Sequence, residues 1–171
     1  TREFTLGIPQ FVVSVAYVWD NHAVVGVLYN PITEELFSGI VGVGAWYNNE
    51  RVAVGEQQRL DGCKVVCSRT EMSKGWFDPW KEQLDLNPVG SVAYKFGLVA
   101  AGQADATFTN KPRNAWDIAG GVAIVEAAGG KSSDRHGQPY VFNIKNPLKD
   151  GVCGTNGGVH EAILGVMREQ A

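Results

Sequence analysis

Residues 114–130, NAWDIAGGVAIVEAAGG, place one carboxylate between a tryptophan and a long apolar run. Residues 118–128 contain a single charged side chain, Glu126, which predicts a helix that is buried on nearly all sides. Asp117 lies in the first turn of this helix, where free amides and the helix dipole stabilise an anion. Either Asp117 caps the helix with the help of Asn114, or it binds a hard cation such as Mg²⁺, which prefers oxygen ligands on rigid elements.

Two pairs of glycines lie in the same segment. Gly120 and Gly121 each cost roughly 1 kcal/mol relative to alanine inside a helix, so their presence predicts that another part of the chain approaches closely there. Gly129 and Gly130 predict the end of the helix. The helix should therefore be a closely packed, rigid support for Asp117.

The composition indicates a globular chain without a nucleic-acid surface. The 171 residues are 44% hydrophobic, and 15 basic against 18 acidic side chains give a net charge of -3 without long like-charge runs. No apolar run is long enough for a membrane span, and no signal-peptide pattern opens the chain. Cys63, Cys67 and Cys153 fit reduced thiols better than a disulfide framework or a metal site, so we expect a cytoplasmic protein.

The first part of the chain predicts an antiparallel sheet of consecutive strands. Runs rich in β-branched and aromatic residues at 11–19 and 22–29 are separated by turn residues, and shorter runs follow at ELFSGI and GAWYNN. The first of these runs has apolar residues on both faces of the predicted strand, which predicts that the strand is covered on both sides.

After residue 60 the pattern changes to alternating helices and strands. The predicted elements are a strand at KVVCS, a helix over 71–84 interrupted by Gly75 and Pro79, a helix over 90–102, strands at 104–108 and 151–156, and a closing helix. A sheet followed by alternating helices and strands predicts a layered α/β (α+β) architecture with units at 1–60 and 61–171.

The pattern W-D-x-A-G-G, followed after a short apolar run by A-G-G, resembles the C-terminal motif of the inositol monophosphatase superfamily. Its members are Mg²⁺-dependent, lithium-sensitive phosphatases. The resemblance extends over essentially the whole chain, including GSVAYKFGLVAAGQAD and GTNGGVHEAIL. It implies an α-β-α-β-α sandwich with the active site between two halves, Mg²⁺ as the cofactor, and Asp117 as a metal ligand.

The metal motif of that family, D-P-x-D-G-T, is matched here only at its last position. By this match Thr1 is the catalytic threonine that positions the attacking water, and the neighbouring amides bind the substrate phosphate. The two aspartates of the motif and an upstream Glu-Glu segment are absent from the sequence. We therefore expect the chain to be the C-terminal two-thirds of a phosphatase and to be inactive, or nearly so, by itself.

The resemblance also bears on the substrate. TREF is closer to the 3′(2′),5′-bisphosphate nucleotidases than to the inositol phosphatases, which implies hydrolysis of 3′-phosphoadenosine 5′-phosphate. Lys95 aligns with a lysine typical of the nucleotidases, where a cation would suit a second phosphate; the alternative is a solvated helix lysine. The implied substrate-binding residues are Thr1, Gly90, Ser91, Lys95 and Asp117.

Several alternatives stay open. Thr109 and Asn110 stand where inositol phosphatases carry a glutamate that binds the sugar hydroxyls, and Lys111 and Arg113 either meet a second phosphate or belong to an exposed loop. The spacing from Gly90 and Ser91 to Lys95 is closer to that of the inositol enzymes. We expect a small phosphorylated substrate, and inositol-1-phosphate or another sugar phosphate is the alternative to the bisphosphate nucleotide. A second alternative is that the chain is a non-catalytic binding unit. A homodimer is also compatible with the sequence.

Overall fold

The computed structural model describes residues 2–169, except for the side chain of Arg2. A five-stranded antiparallel sheet follows chain order. Its strands are β1 (Val13–Trp19), β2 (His22–Asn30), β3 (Glu35–Ile40), β4 (Gly44–Tyr47) and β5 (Glu50–Val52). The predicted meander of consecutive strands is therefore confirmed.

The second half of the chain builds a five-stranded mixed sheet in the order β10-β12-β8-β6-β7. Its strands are β6 (Cys63–Cys67), β7 (Leu84–Pro88), β8 (Ala106–Thr109), β10 (Lys131–Ser133) and β12 (Val152–Thr155). Two short strands, β9 (Arg113–Asn114) and β11 (Leu148–Lys149), pair with each other beside it. Strand β6 is parallel to both β7 and β8, whereas β12 is antiparallel to its two neighbours.

The helices complete a layered sandwich. They are α1 (Arg2–Thr5), α2 (Arg69–Met72), α3 (Val92–Ala100), α4 (Ala115–Ala127) and α5 (His160–Glu169). Helix α4 packs on the antiparallel sheet, α3 lies between α4 and the mixed sheet, and α5 covers the other face of the mixed sheet. The predicted layered α+β fold is confirmed, while the unit boundary near residue 60 stays a prediction.

Close packing explains the glycines of α4. A Cβ atom on Gly120 would lie 3.0 Å from the carbonyl oxygen of Val15 in β1, and one on Gly121 would lie 2.5 Å from the Cβ of Phe96 in α3. Real Cβ atoms do not approach so closely without displacing a neighbour, so larger side chains would push α4 away from both layers. The predicted close approach is confirmed, and it fixes α4 between the sheet and α3.

The prediction that β1 is covered on both sides is wrong for the residues that the structure describes. Val13, Val15, Tyr17 and Trp19 are between 54% and 67% exposed, whereas the intervening side chains pack toward α4. Strand β1 is the edge of its sheet, and no element within residues 2–169 covers that outer row. Within the described residues, the apolar side chains of this outer row are consistent with β propensity and have no covering layer.

The predicted helix over 71–84 is also wrong. Helix α2 ends at Met72, a turn of 3₁₀ helix spans Asp78–Trp80, and β7 begins at Leu84. Gly75 adopts a φ of 72°, which no right-handed helix contains, and Pro79 cannot continue the hydrogen bonding of a preceding turn. These two residues end the helix instead of merely interrupting it.

The three cysteines are free and buried. Burial, with the Asp105 carboxylate, raises the pKa of Cys63 to about 12, and burial raises the pKa of Cys67 to about 11. Both side chains therefore remain neutral thiols near neutral pH.

Within residues 2–169, no helix is both long and apolar enough to cross a bilayer.

His160 is a buried polar residue at the start of α5. Its Nδ1 lies 2.9 Å from the hydroxyl of Thr155 and its Nε2 lies 3.0 Å from the hydroxyl of Ser133. Burial, together with the nearby Lys131 ammonium, lowers the pKa of His160 to about 4. The native state therefore resists protonation of this ring at a pH where the unfolded chain accepts a proton.

We expect His160 to make the free energy of unfolding pH-dependent. Because the native pKa is below the usual value of about 6.5, stability should be fully present above that pH and should fall as the pH decreases toward 4, by on the order of 2–3 kcal/mol. Urea unfolding of His160→Gln at several pH values should lack most of this slope. The matched change at exposed His22, His22→Gln, should keep it, and an unaltered slope in His160→Gln would refute the assignment.

Candidate active site

A cleft of about 380 Å³ opens where the first turns of α3 and α4 meet α1, α2 and the residues leading into β1. Gly90, Ser91, Lys95 and Asp117 all line it. The structure therefore brings together four of the five residues that the sequence predicts for the site. The fifth, Thr1, lies outside the described residues.

Asp117 is half-buried in the first turn of α4 and lines the cleft. Asn114 occupies the N-cap position, but its side chain makes no capping hydrogen bond. No hydrogen bond or ion pair to the Asp117 carboxylate forms among the residues that the structure describes. A carboxylate whose purpose is to cap the helix would accept from the free amides of that turn. The side chain is thus available to a ligand in the cleft.

Gly90 and Ser91 form the turn that enters α3. Ser91 is the N-cap residue, and its hydroxyl accepts a hydrogen bond from the amide of Tyr94 at 3.3 Å. Its φ of 58° is unusual for a residue other than glycine and costs on the order of 1 kcal/mol or more. The Gly90 amide donates to the Gln10 side chain at 2.8 Å, which ties this turn to the segment before β1.

Lys95 is not a solvated helix lysine, because only 4% of its surface is exposed. Burial lowers the pKa of its ammonium group to about 8, while the Glu71 carboxylate acts in the opposite direction. Within residues 2–169 the ammonium group makes no hydrogen bond, and no carboxylate lies close enough for an ion pair. Lys95 therefore presents an unpaired donor group at the wall of the cleft.

Of the two other basic residues considered for contact with a second phosphate, only one lines the cleft. Arg113 lines the cleft, and its Nη2 lies 3.8 Å from Glu71 Oε1. Lys111 does not line it, because its ammonium lies 4.4 Å from the centre of the Trp76 ring and 4.0 Å from Glu71. Thr109 is buried, and its hydroxyl donates to Glu71 at 2.7 Å, so it does not face the cleft.

Sequence reasoning missed Arg69 and Glu71. Arg69 lines the cleft and donates to the Gln10 side chain that also holds Gly90. Glu71 lies behind the cleft wall and is 1% exposed. The pattern Ser68-x-x-Glu71 directly after a strand could have indicated a helix start here, since the Ser68 hydroxyl accepts from the Glu71 amide at 3.4 Å.

The cleft offers the kind of ligand that Mg²⁺ prefers, but it offers too few of them to complete a magnesium site. Asp117 supplies carboxylate oxygens on a rigid helix, free of any protein partner among residues 2–169. No group of three or more acidic, histidine or cysteine side chains suited to a metal occurs in this part of the chain. Asp117 could therefore contribute one ligand to a magnesium site, and further ligands would have to come from other groups.

Comparison with known proteins identifies the family of this chain. Residues 1–170 match the inositol monophosphatase family. The chain belongs to that family. The match supports the resemblance read from the W-D-x-A-G-G motif and places the cleft in a family of phosphatases.

Relatives and solved structures agree with this assignment. A Thermotoga maritima protein named fructose-1,6-bisphosphatase/inositol-1-monophosphatase is 32% identical over 171 residues, covering 99% of this chain and 64% of the relative. An inositol-1-monophosphatase from Mesorhizobium japonicum is 33% identical over 145 residues, covering 80% and 54%. The structure of the Thermotoga maritima IMPase superposes with a TM-score of 0.87 at 29% identity, covering 99% of this chain and 65% of that one.

The chain spans less than two thirds of the length of these relatives, at 64% and 54%. The names of the relatives favour the inositol-phosphate alternative over the bisphosphate nucleotide that TREF and Lys95 imply.

Proposed function

We propose that the full-length protein is a Mg²⁺-dependent phosphomonoesterase that acts on inositol-1-phosphate or another small sugar phosphate. The observation that supports this most strongly is the Asp117 carboxylate, which lines the cleft of an inositol monophosphatase-family fold without a partner among residues 2–169. The relatives named as inositol monophosphatases support the choice of substrate class.

The reaction is hydrolysis by water. Water attacks the phosphorus atom, the ester P–O bond breaks, and the alcohol leaves with a proton while inorganic phosphate is released. Mg²⁺, when bound, would lower the pKa of a water molecule and offset the negative charge that develops on the phosphate oxygens. Asp117 would hold the ion, Gly90 and Ser91 would position the substrate at the start of α3, and Lys95 would contact its anionic part. Thr1 is proposed to position the water, by resemblance to the family motif.

A bisphosphate nucleotide such as 3′-phosphoadenosine 5′-phosphate is the second candidate substrate. The buried ammonium of Lys95, which has no partner among residues 2–169, and the guanidinium of Arg113 favour it, because two cations in one cleft suit a substrate with a second anionic group. The Thermotoga relative is named for a sugar bisphosphate as well as an inositol monophosphate, so a second phosphate does not by itself require a nucleotide.

The test is phosphate release by the full-length protein from inositol-1-phosphate and 3′-phosphoadenosine 5′-phosphate, each with Mg²⁺ and with EDTA. We expect release to require Mg²⁺ and to be faster with the inositol ester. A strong preference for the nucleotide would overturn the substrate choice. Absence of release from both esters and from other sugar phosphates would overturn the enzymatic proposal in favour of a non-catalytic binding unit.

A further inference from the structure

Glu71 is an acidic residue that is buried behind the cleft and surrounded by basic groups. Its side chain is 1% exposed, and Oε1 accepts a hydrogen bond from the Thr109 hydroxyl at 2.7 Å. The same oxygen lies 3.8 Å from Arg113 Nη2 and 4.0 Å from Lys111 Nζ. A buried carboxylate is expensive unless cations and hydrogen bonds compensate it, so these contacts are specific features of the site and not incidental ones.

Four charged or titratable groups act on the buried Lys95 ammonium from the elements around it. Glu71 in α2, Cys67 in β6 and Glu3 in α1 favour its charged form, and Arg113 in β9 opposes it. Glu71 is the largest of these influences. Cys67 is a neutral thiol near neutral pH, because burial raises its pKa to about 11. The carboxylate of Glu71 is therefore the main protein group that compensates the burial of the Lys95 charge.

We propose that Glu71 is a positioning residue that holds the Arg113 guanidinium at the wall of the cleft through their ion pair and, without contacting it, helps to keep the neighbouring buried Lys95 ammonium charged. Glu71 does not line the cleft and so acts through these two side chains, which do. The inference rests on the proposed function, since it assigns Lys95 and Arg113 to the anionic part of a phosphorylated substrate. It adds that the affinity of the cleft for an anion depends on a carboxylate that the anion never touches.

The experiment measures the binding of inorganic sulfate to the full-length protein by calorimetry in EDTA, between pH 6 and 9. Sulfate keeps its charge over this range, so a change in affinity reports on the protein. In the wild type, affinity should fall as the pH rises through about 8, where Lys95 loses its proton. In Glu71→Gln this fall should move to lower pH by about 1 unit or more, which is the usual effect of removing an opposite charge nearby. At pH 7.5 a shift of 1 unit lowers the protonated fraction of Lys95 about threefold, so sulfate should then bind about threefold more weakly.

Controls separate positioning from general damage. Glu82→Gln changes an exposed glutamate and should leave the midpoint of the pH profile unaltered. Lys95→Met should remove the fall near pH 8 altogether, and adding Glu71→Gln to it should produce no new one. An unshifted midpoint in folded Glu71→Gln would overturn the proposal.

A second variant keeps the proposal testable even if Glu71→Gln is unfolded. If Glu71→Gln does not fold, Glu71→Asp keeps the charge but places it one methylene farther from its partners. It should move the midpoint in the same direction by a smaller amount, and an unshifted midpoint there would also overturn the proposal. Sulfate binding requires neither Mg²⁺ nor turnover, so these results are independent of whether any phosphate ester is hydrolysed.

Discussion

Asp117→Asn in the full-length protein is expected to reduce phosphate release on the order of a hundredfold or more. Asparagine has nearly the same shape but no charge, so it is a much poorer ligand for a hard cation. Metal stabilisation of the transition state is worth several kcal/mol, and each 1.4 kcal/mol corresponds to about a factor of ten in rate. The measurement is kcat at saturating Mg²⁺ with whichever ester the protein hydrolyses.

The same substitution should leave the fold intact. The Asp117 carboxylate makes no hydrogen bond among residues 2–169, so only its favourable position near the helix N-terminus is lost, at a cost of about 1 kcal/mol or less. Asp85→Asn, at an exposed position of β7, is the matched control and should keep wild-type turnover. Wild-type turnover in Asp117→Asn would remove Asp117 from the mechanism.

Gly26→Ala is expected to cause the largest loss of stability. Its Cβ would lie 2.1 Å from the carbonyl oxygen of Gly120 and 2.9 Å from a side-chain carbon of Ile124. The obstructing oxygen belongs to the backbone of α4, which cannot rotate away as a side chain could. We expect the free energy of unfolding to fall by about 3 kcal/mol or more. Because α4 also carries Asp117, activity should fall with it.

Gly165→Ala provides the contrast for that prediction. Gly165 lies within α5, and a Cβ there would meet no atom of another described residue within 4 Å. Alanine should therefore raise the free energy of unfolding by about 0.5–1 kcal/mol through its helix propensity. Urea unfolding of the two variants should give changes of opposite sign. Equal stability of Gly26→Ala and the wild type would contradict the packing of β2 against α4.

The features that could be predicted from the sequence are local ones. Helix α4 was predicted because its apolar run, its first-turn acid and its terminal glycines all lie within residues 114–130. The antiparallel sheet was predicted because each strand pairs with the next one in the chain, so turn residues are enough to mark it. The placement of Gly90, Ser91 and Lys95 beside Asp117 came from family resemblance and not from spacing.

The features that could not be predicted depend on contacts between distant segments. The burial of Lys95 is offset in part by Glu71, which lies 24 positions earlier in the sequence, in a helix whose bounds the sequence pattern does not predict. The alternation of β1 carries no information on whether a second layer covers its outer face. Arg69 lines the cleft and shares its hydrogen-bond partner Gln10 with the turn at Gly90, 21 positions later in the sequence. None of these relationships leaves a periodic pattern in the sequence.

The most direct test of the account is metal binding itself. Mn²⁺, which can replace Mg²⁺ and is visible by electron paramagnetic resonance, would be titrated into the full-length wild type, Asp117→Asn and Asp85→Asn. Asp117→Asn is expected to weaken Mn²⁺ binding about tenfold or more, since even loss of an outer partner of a metal ligand costs about 10–100-fold. Asp85→Asn should bind Mn²⁺ as the wild type does. Equal Mn²⁺ affinity in Asp117→Asn and the wild type would contradict the account.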